Sequence, residues 1–285
     1  MIDLIAVALL NGVVWACILA MIALGLTLIY GQLEIINIAH GAMYAIGAVV
    51  AYYSVVYLGA WGYSLILSPL FMALIAACIY FSTIKYRVVG YPIAVTLIIA
   101  YGFMFILEQL TSLIFGGAPR IVPNPLPYQI PLINGTYPVY RIFAAVFSLA
   151  IVGAVVAFLQ KTKLGLWIRA TNQDSDTASA MGVPVSFVYA FVFILGSMLA
   201  AMGGTIVAPM TTVTHTMGSE IIIDIFIIVI VAGFGSIPGT IIAALILSVS
   251  AGLFSVFMNP VLAKGLSLAL MIAILYIKPE GILKY

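Results

Sequence analysis

Apolar residues run through this chain in long blocks separated by short polar gaps, at about 4–30, 36–58, 61–83, 92–115, 139–159, 184–209, 220–234, 238–258 and 262–277. Most blocks approach the roughly 20 residues an α-helix needs to cross a bilayer. In lipid the backbone must satisfy its own hydrogen bonds, so the blocks predict helices, and no alternating ten-residue pattern argues for a barrel. The expected architecture is an all-α polytopic membrane protein of about eight or nine spans, forming one transmembrane domain over residues 1–285. The block at 220–234 is short, and the junctions near 31–36 and 235–239 are tight and contain glycine. A half-helix or re-entrant element is expected at each of these places.

Composition closes off other classes. The chain is 65% hydrophobic and 6% charged, with a mean hydropathy of +1.30, where a soluble domain is about 25% charged. A net charge of +2 from 10 basic and 8 acidic residues provides no electrostatic footprint for nucleic acid. Cys17 and Cys78 sit inside apolar runs with no metal-like spacing, and read as small core residues. The Met1-Ile2-Asp3 start lacks the basic stretch of a cleaved signal, so the first block is expected to stay in the membrane.

Basic residues orient the spans. Lys85 and Arg87 follow the third block, Lys161, Lys163 and Arg169 the fifth, and Lys278 and Lys284 the last. Placing all three groups in the cytoplasm requires an odd number of spans, an outside N-terminus and an inside C-terminus, which nine spans satisfy. Arg120, Arg141 and Lys264 then lie outside or near that interface. The Pro-rich stretch 116–138 becomes an ordered external loop.

One segment looks soluble. Residues 160–183 hold three of the basic residues, and Asn172 through Thr177 is the most polar stretch in the protein. Asp174 or Ser175 is placed to cap a short helix carrying Ala178, Ala180 and Met181, with Gly182 ending it and Pro184 opening the next span. The segment is either a connecting loop or a docking helix for a cytoplasmic partner.

No catalytic constellation is present. His40 and His215 are the only histidines, and no nucleophile elbow, zinc-binding helix, paired-cysteine pattern or phosphate-binding P-loop occurs. Gly233-Phe-Gly235-Ser-Ile-Pro238-Gly239 has Pro238 where a dinucleotide loop needs its third glycine. If transport is driven by ATP, the ATPase must be a separate chain. Gly196, Ala200, Gly204 and Ala208 recur every four residues as a small-residue helix face, and Ala39, Gly47 and Ala51 form a similar one. Such faces let helices approach closely in lipid, either within the chain or at a subunit interface.

Intramembrane polar residues are the best site candidates, because each is costly in hydrocarbon. Glu34, Asn37 and His40 cluster at the start of the second span, Glu108 and Gln109 lie in the fourth, and Glu220 and Asp224 share a face at the start of the seventh. None has an evident basic intramembrane partner, which argues against a charge-relay pump and for a neutral or zwitterionic cargo. Asn37, His40, Glu220 and Asp224 are the candidates for a translocation path or its gates.

Ala23-Leu-Gly25-Leu-Thr27-Leu-Ile-Tyr30-Gly31 through Asn37-Ile-Ala39-His40-Gly41-Ala42-Met-Tyr44 resembles a known signature, that of the LIV-H type permeases of branched-chain amino-acid ABC importers. The resemblance continues through Ala178-x-x-x-Gly182, Gly196–Pro209, Gly233–Gly239 and the closing Lys278-Pro279-Glu280-Gly281. It implies one half of a transmembrane heterodimer with a second, LIV-M type permease in a bacterial inner membrane. It also implies two cytoplasmic ATPase subunits, which hold the ATP and Mg that this chain does not bind, and a periplasmic or lipoprotein substrate-binding protein. Asn172, Gln173, Asp174, Ala178, Met181 and Gly182 match the family's ATPase-coupling region. One position departs: the family's His-Gly pair is commonly followed by Glu, where this chain has Ala42. Relatives of the fold carry urea, short amides and aromatic acids. An ATP-independent channel or secondary carrier is the alternative, since discontinuous helices suit those proteins as well.

Overall fold

The computed structural model of the chain describes residues 2–87, 91–132 and 135–283. Lys284, part of the C-terminal basic group, lies outside the described residues, as does the side chain of Arg87. Helices α1 (Ile2–Leu33), α2 (His40–Leu58) and α3 (Ser64–Ile79) come first, and α3 continues through a π-helical turn, Tyr80–Ile84, into the single turn α4 (Lys85–Arg87). Helices α5 (Ile93–Phe115) and α6 (Val139–Lys161) flank a short antiparallel hairpin, β1 (Gln129–Leu132) and β2 (Gly135–Pro138). Then follow α7 (Lys163–Gln173), α8 (Ser175–Ala180), α9 (Val185–Val207), α10 (Met217–Ala232), α11 (Ile237–Phe257) and α12 (Pro260–Ile277).

Among the described residues, seven helices are long and apolar enough to cross a membrane: Leu4–Leu33, His40–Leu58, Trp61–Ile84, Ile93–Phe115, Val139–Lys161, Val185–Val207 and Ile237–Phe257. The blocks expected at 220–234 and 262–277 correspond to shorter helices. The 16 residues of α10 span about 24 Å at the helical rise, less than the roughly 30 Å hydrocarbon core. Local caps fix several helix starts. Asn259 accepts from Leu262 N–H ahead of Pro260, and Ser236 accepts from Gly239 N–H.

Helix α1 is the central post. Ile18, Met21, Ile22, Ala23 and Leu24 are fully buried, and the helix packs against α11, α9, α6 and α10. Its hydroxyl-bearing Thr27 meets Thr240 of α11 at 2.8 Å, both buried. Glycine sets the closest approach: a Cβ on Gly25 would lie 2.5 Å from the Gly196 carbonyl oxygen of α9, and one on Gly196 lies 2.6 Å from that of Gly25.

Two chain segments follow the same course in opposite directions. After α1 the chain turns back through residues 34–39, and α2 starts about midway along α1, where His40 Nε2 lies 3.0 Å from the Ile22 carbonyl. After α9 the chain turns back through residues 208–216, and α10 starts where Gly218 crosses Gly41. Helices α2 and α10 thus begin at one point in the middle of the bundle and run to opposite ends.

One end of the bundle gathers the C-terminus of α1, helices α7 and α8, the α10–α11 elbow and the tail after α12. Gly31 lies against Gly235, Gln32 Nε2 donates to the Ile168 carbonyl at 2.9 Å, and Ile282 N–H donates to the Val231 carbonyl at 2.8 Å. Tyr80, just before Lys85, donates to the Ser186 carbonyl at the start of α9. Lys85, Lys161, Lys163, Arg169 and Lys278 therefore collect at this end. At the other end the β1–β2 hairpin leads into α6 and ties to α1 through Tyr137, which donates to Asn11. Arg120 there bridges to Val213 through the backbone and rests over the Tyr52 and Phe115 rings at 5.0 Å.

Candidate functional site

A cavity of about 740 Å³ lies between α1, α10, α11 and α12, on the hairpin side of the bundle. Its wall is largely apolar, with Trp15 and Leu19 from α1, Ile221 and Ile228 from α10, and Leu247 from α11. The polar groups that break this surface are few: Asn11, Tyr44, Arg141, Glu220, Asp224 and Lys264 together with several hydroxyls. An apolar enclosure with a few placed polar groups suits a small organic ligand.

Glu220 and Asp224, one turn apart at the start of α10, both face this cavity. On another face of the same turn Ser219 donates to Glu108 of α5 at 2.8 Å, so Glu108 tethers α5 to the start of α10 and does not line the cavity. Asp224 has a basic partner that sequence reading did not find. Lys264, on the first turns of α12, reaches it with Nζ 3.1 Å from Oδ1. The two residues are 40 positions apart, and only the packing of α12 alongside α10 brings them together.

Asn37 and His40 lie elsewhere. His40 is fully buried beneath α1, with one ring nitrogen on the Ile22 carbonyl and the other without a partner among the described residues. Since a carbonyl can only accept, Nε2 carries the proton in this arrangement. Asn37 is buried among Ile35, Met43, Ile79 and Phe193 at the turn before α2, its amide nitrogen unpartnered. Glu34 follows α1 in the left-handed backbone region, at φ 54°, where glycine or asparagine is the usual choice. It faces solvent, not the cavity.

Residues missed in the sequence complete the site. Arg141, on the first turn of α6, donates through Nη1 to Asn11 Oδ1, and that oxygen also accepts from Tyr137 Oη at 2.9 Å. The hairpin, α1 and α6 therefore hold one guanidinium at the cavity mouth. Arg141 counted only as a boundary charge in the sequence, and Asn11 lay inside an apolar block with no signal of its own.

The small-residue face of α9 packs inside the chain. Gly196 meets Gly25 and Ile29, Gly204 meets the Tyr44 backbone, and Ala200 and Ala208 are fully buried. At the opposite end from the cavity mouth, Asp174 caps α8 by accepting from the Asp176 and Thr177 N–H groups at 3.0 Å, and from Thr177 Oγ1 at 2.5 Å. The hydrogen bonds from Thr177 hold the Asp174 carboxyl below the usual carboxylate range. Ala178 turns inward and is buried, whereas Gln173 is exposed and Met181 is 82% exposed. Asn172 points its side-chain oxygen toward Gly31 at the end of α1. Gly182, at φ 86°, ends the segment in open space.

Residues 8–275 match the sequence family described as branched-chain amino acid transport system / permease component. The chain is 30% identical, over 96% of its length and 93% of the relative's, to the high-affinity branched-chain amino acid transport system permease protein LivH of Salmonella typhimurium. It is 28% identical, over 96% and 94%, to the corresponding permease protein BraD of Pseudomonas aeruginosa. Among solved structures it is similar to PsaBC from Streptococcus pneumoniae in complex with Fab, with TM-score 0.49 and 15% identity over 94% of this chain and 89% of that one.

Proposed function

The chain belongs to the family of branched-chain amino acid transport system permease components, and from that premise we propose that it forms one half of the translocation path of an ATP-driven importer for branched-chain or other hydrophobic amino acids. In this reading the second half is a LIV-M type permease. Two ATPase subunits dock at the α7–α8 end and hold the ATP and Mg. A periplasmic or lipoprotein binding protein delivers the ligand at the hairpin end. The chain sits in a bacterial inner membrane with its basic end in the cytoplasm, as the positive-inside bias favours. It has no catalytic role of its own, and its exposed Gln173 and Met181 meet the ATPase.

The observation that carries this reading is a cavity whose lining lies toward the hairpin end of the bundle, while close packing occupies the other end. The wall is lined from Asn11 to Leu19 of α1. Farther along the same helix, the Tyr30 ring lies tilted against Phe234 with centroids 4.3 Å apart, and Gly31 packs on Gly235. A path exposed to one side and closed to the other is one state of an alternating-access cycle. Purification in mild detergent from the native membrane tests the assembly. A second permease and two ATPases are expected to co-purify, and proteoliposomes of that complex with its binding protein are expected to take up L-leucine only with ATP. Isolation of the chain alone, or uptake driven by an ion gradient without ATP, overturns the reading.

A further inference from the structure

Four charged side chains line the cavity, and they are unequally paired. Asp224 and Lys264 neutralise each other at 3.1 Å. Arg141 and Glu220 face the same space and form no ion pair with any described residue. Arg141 is nevertheless held, because Asn11 Oδ1 accepts from its Nη1 while accepting from Tyr137 as well. A neutral acceptor fixes a guanidinium without cancelling its charge, and leaves most of its five donors free. Glu220, in the first turn of α10, is exposed and lines the cavity.

The two groups stand at different depths. Asn11, Trp15 and Leu19 line one wall at successive turns of α1, about 12 Å from first to last at the helical rise. Arg141 is tied to the outer end of that wall. Glu220 lies two residues beyond the Gly41–Gly218 crossing, which is itself at the middle of the bundle. The apolar lining that they share includes Trp15, Leu19, Ile221 and Leu247.

We propose that Arg141 and Glu220 make this path selective for zwitterions, Arg141 receiving the carboxylate at the mouth and Glu220 the ammonium farther in, while the apolar wall accepts a hydrocarbon side chain. The proposal rests on the importer reading above and adds to it the residues that read the ligand's charges. A zwitterion compensates both free charges of the cavity and adds none. A carboxylate of the same shape without the ammonium faces Glu220 as a like charge, and an amine without the carboxylate meets Arg141 in the same way. In each case like charges are brought together, and their repulsion lowers affinity.

The test uses the complex of this chain with its partner permease and ATPases in lipid nanodiscs, without the binding protein, so that only the permease does the selecting. Tritiated L-leucine is bound, then competed with 3-methylbutylamine and 4-methylpentanoate, which lack the carboxylate and the ammonium in turn. The wild type is expected to prefer leucine to both. Arg141→Gln is expected to lose roughly tenfold or more in leucine affinity, the scale of one hydrogen bond to a charged group. It should lose the preference over the amine and keep that over the carboxylate. Glu220→Gln should show the converse, and Arg141→Lys should keep both preferences. This crossed pattern is one that a misfolded variant cannot produce. Loss of both preferences together in each variant, or retention of both, overturns the proposal. Proteoliposomes of the same preparation, with the binding protein and ATP, separate the two levels. Leucine uptake with an unchanged preference sinks the zwitterion assignment alone, whereas ATP hydrolysis without leucine uptake sinks the importer reading and the assignment with it.

Discussion

Gly41 and Gly218 lie back to back where α2 and α10 begin, so close that a Cβ on either would run into the other's carbonyl oxygen. The crossing holds two helix starts together in the middle of the bundle, beside the cavity that Tyr44 and Met217 line. Neither backbone can retreat without moving α1 or α9 behind it. Gly218→Ala is therefore expected to lower the stability of the detergent-solubilised protein by about 1–3 kcal/mol, the usual cost of overpacking, and to reduce uptake. Gly102→Ala, in a helical position where a Cβ meets nothing within 4 Å, is expected to leave the melting temperature unchanged or to raise it slightly. Equal melting temperatures for the two variants would show that the crossing is looser than this geometry.

The Asp224–Lys264 pair spans α10 and α12 with side chains 37% and 51% exposed. At that exposure solvent screens the pair, and it contributes at most about 1 kcal/mol. A double-mutant cycle of Asp224→Ala and Lys264→Ala, read by thermal denaturation, is expected to return a coupling of that size or less, and one that shrinks as salt is raised. A coupling of several kcal/mol that ignores salt would mean that the cavity is dry, and would contradict its openness to water.

Asp174 is fully solvated and acts through its geometry. Its carboxylate accepts three hydrogen bonds that start α8, and they hold its pKa below the ordinary value. A depressed folded-state pKa means that the stabilisation is present above the usual carboxylate range and is lost as the pH falls through the folded value. Amide exchange at Asp176 and Thr177 is expected to quicken, relative to the rest of the protein, as the pH drops below that range. Asp174→Asn, which keeps a side-chain oxygen, should preserve protection at neutral pH and remove its pH dependence. Asp174→Ala should expose both amides at every pH.

Much of this architecture was legible in the order of apolar blocks, because lipid forces long apolar segments into helices. The breaks were legible as well, at Gly31–Ala39 and around Gly233–Gly239, where glycine, proline and polar residues interrupt the pattern. What the pattern concealed is which polar residues meet. Glu220 and Asp224 share a helix face by spacing alone, and both reach the cavity. Lys264 and Arg141 come from distant helices that only packing assembles, so each looked like a boundary charge. His40 was conspicuous because it adjoins the glycine signature. That signature records a close crossing of backbones, and the histidine beside it is buried on a carbonyl of α1. Ala178 followed similar logic: its position in a polar segment suggested a surface, while the amphipathic turn of α8 directs it inward.

The shut end of the bundle depends on Tyr30 and Phe234. Their rings lie 4.3 Å apart and seal α1 against the α10–α11 elbow, while Gln32, two residues on, donates to the Ile168 carbonyl of α7. The elbow itself is fixed by the chain's tail, since Ile282 N–H caps the Val231 carbonyl and a Cβ on Gly233 would lie 2.8 Å from the Glu280 carbonyl oxygen. Helix α7 is thus connected to the seal through α1, and a displacement of α7 pulls directly on the residue two positions from the ring contact. Truncating Phe234 to Ala removes an aromatic contact of about 0.5–1.5 kcal/mol beyond its buried area, without touching the tail or the α7 link. The expected result is a path that closes less completely: leucine should leak down its gradient through the assembled complex in the absence of ATP, where the wild type holds it. Gln32→Leu should behave differently. It leaves the rings in place and loosens α7 from α1, so that ATP hydrolysis continues while the leucine moved per ATP declines. Measuring the leak and the transport-to-hydrolysis ratio in the same vesicles separates the two. If Phe234→Ala leaves vesicles as tight as the wild type, the seal lies elsewhere on the path.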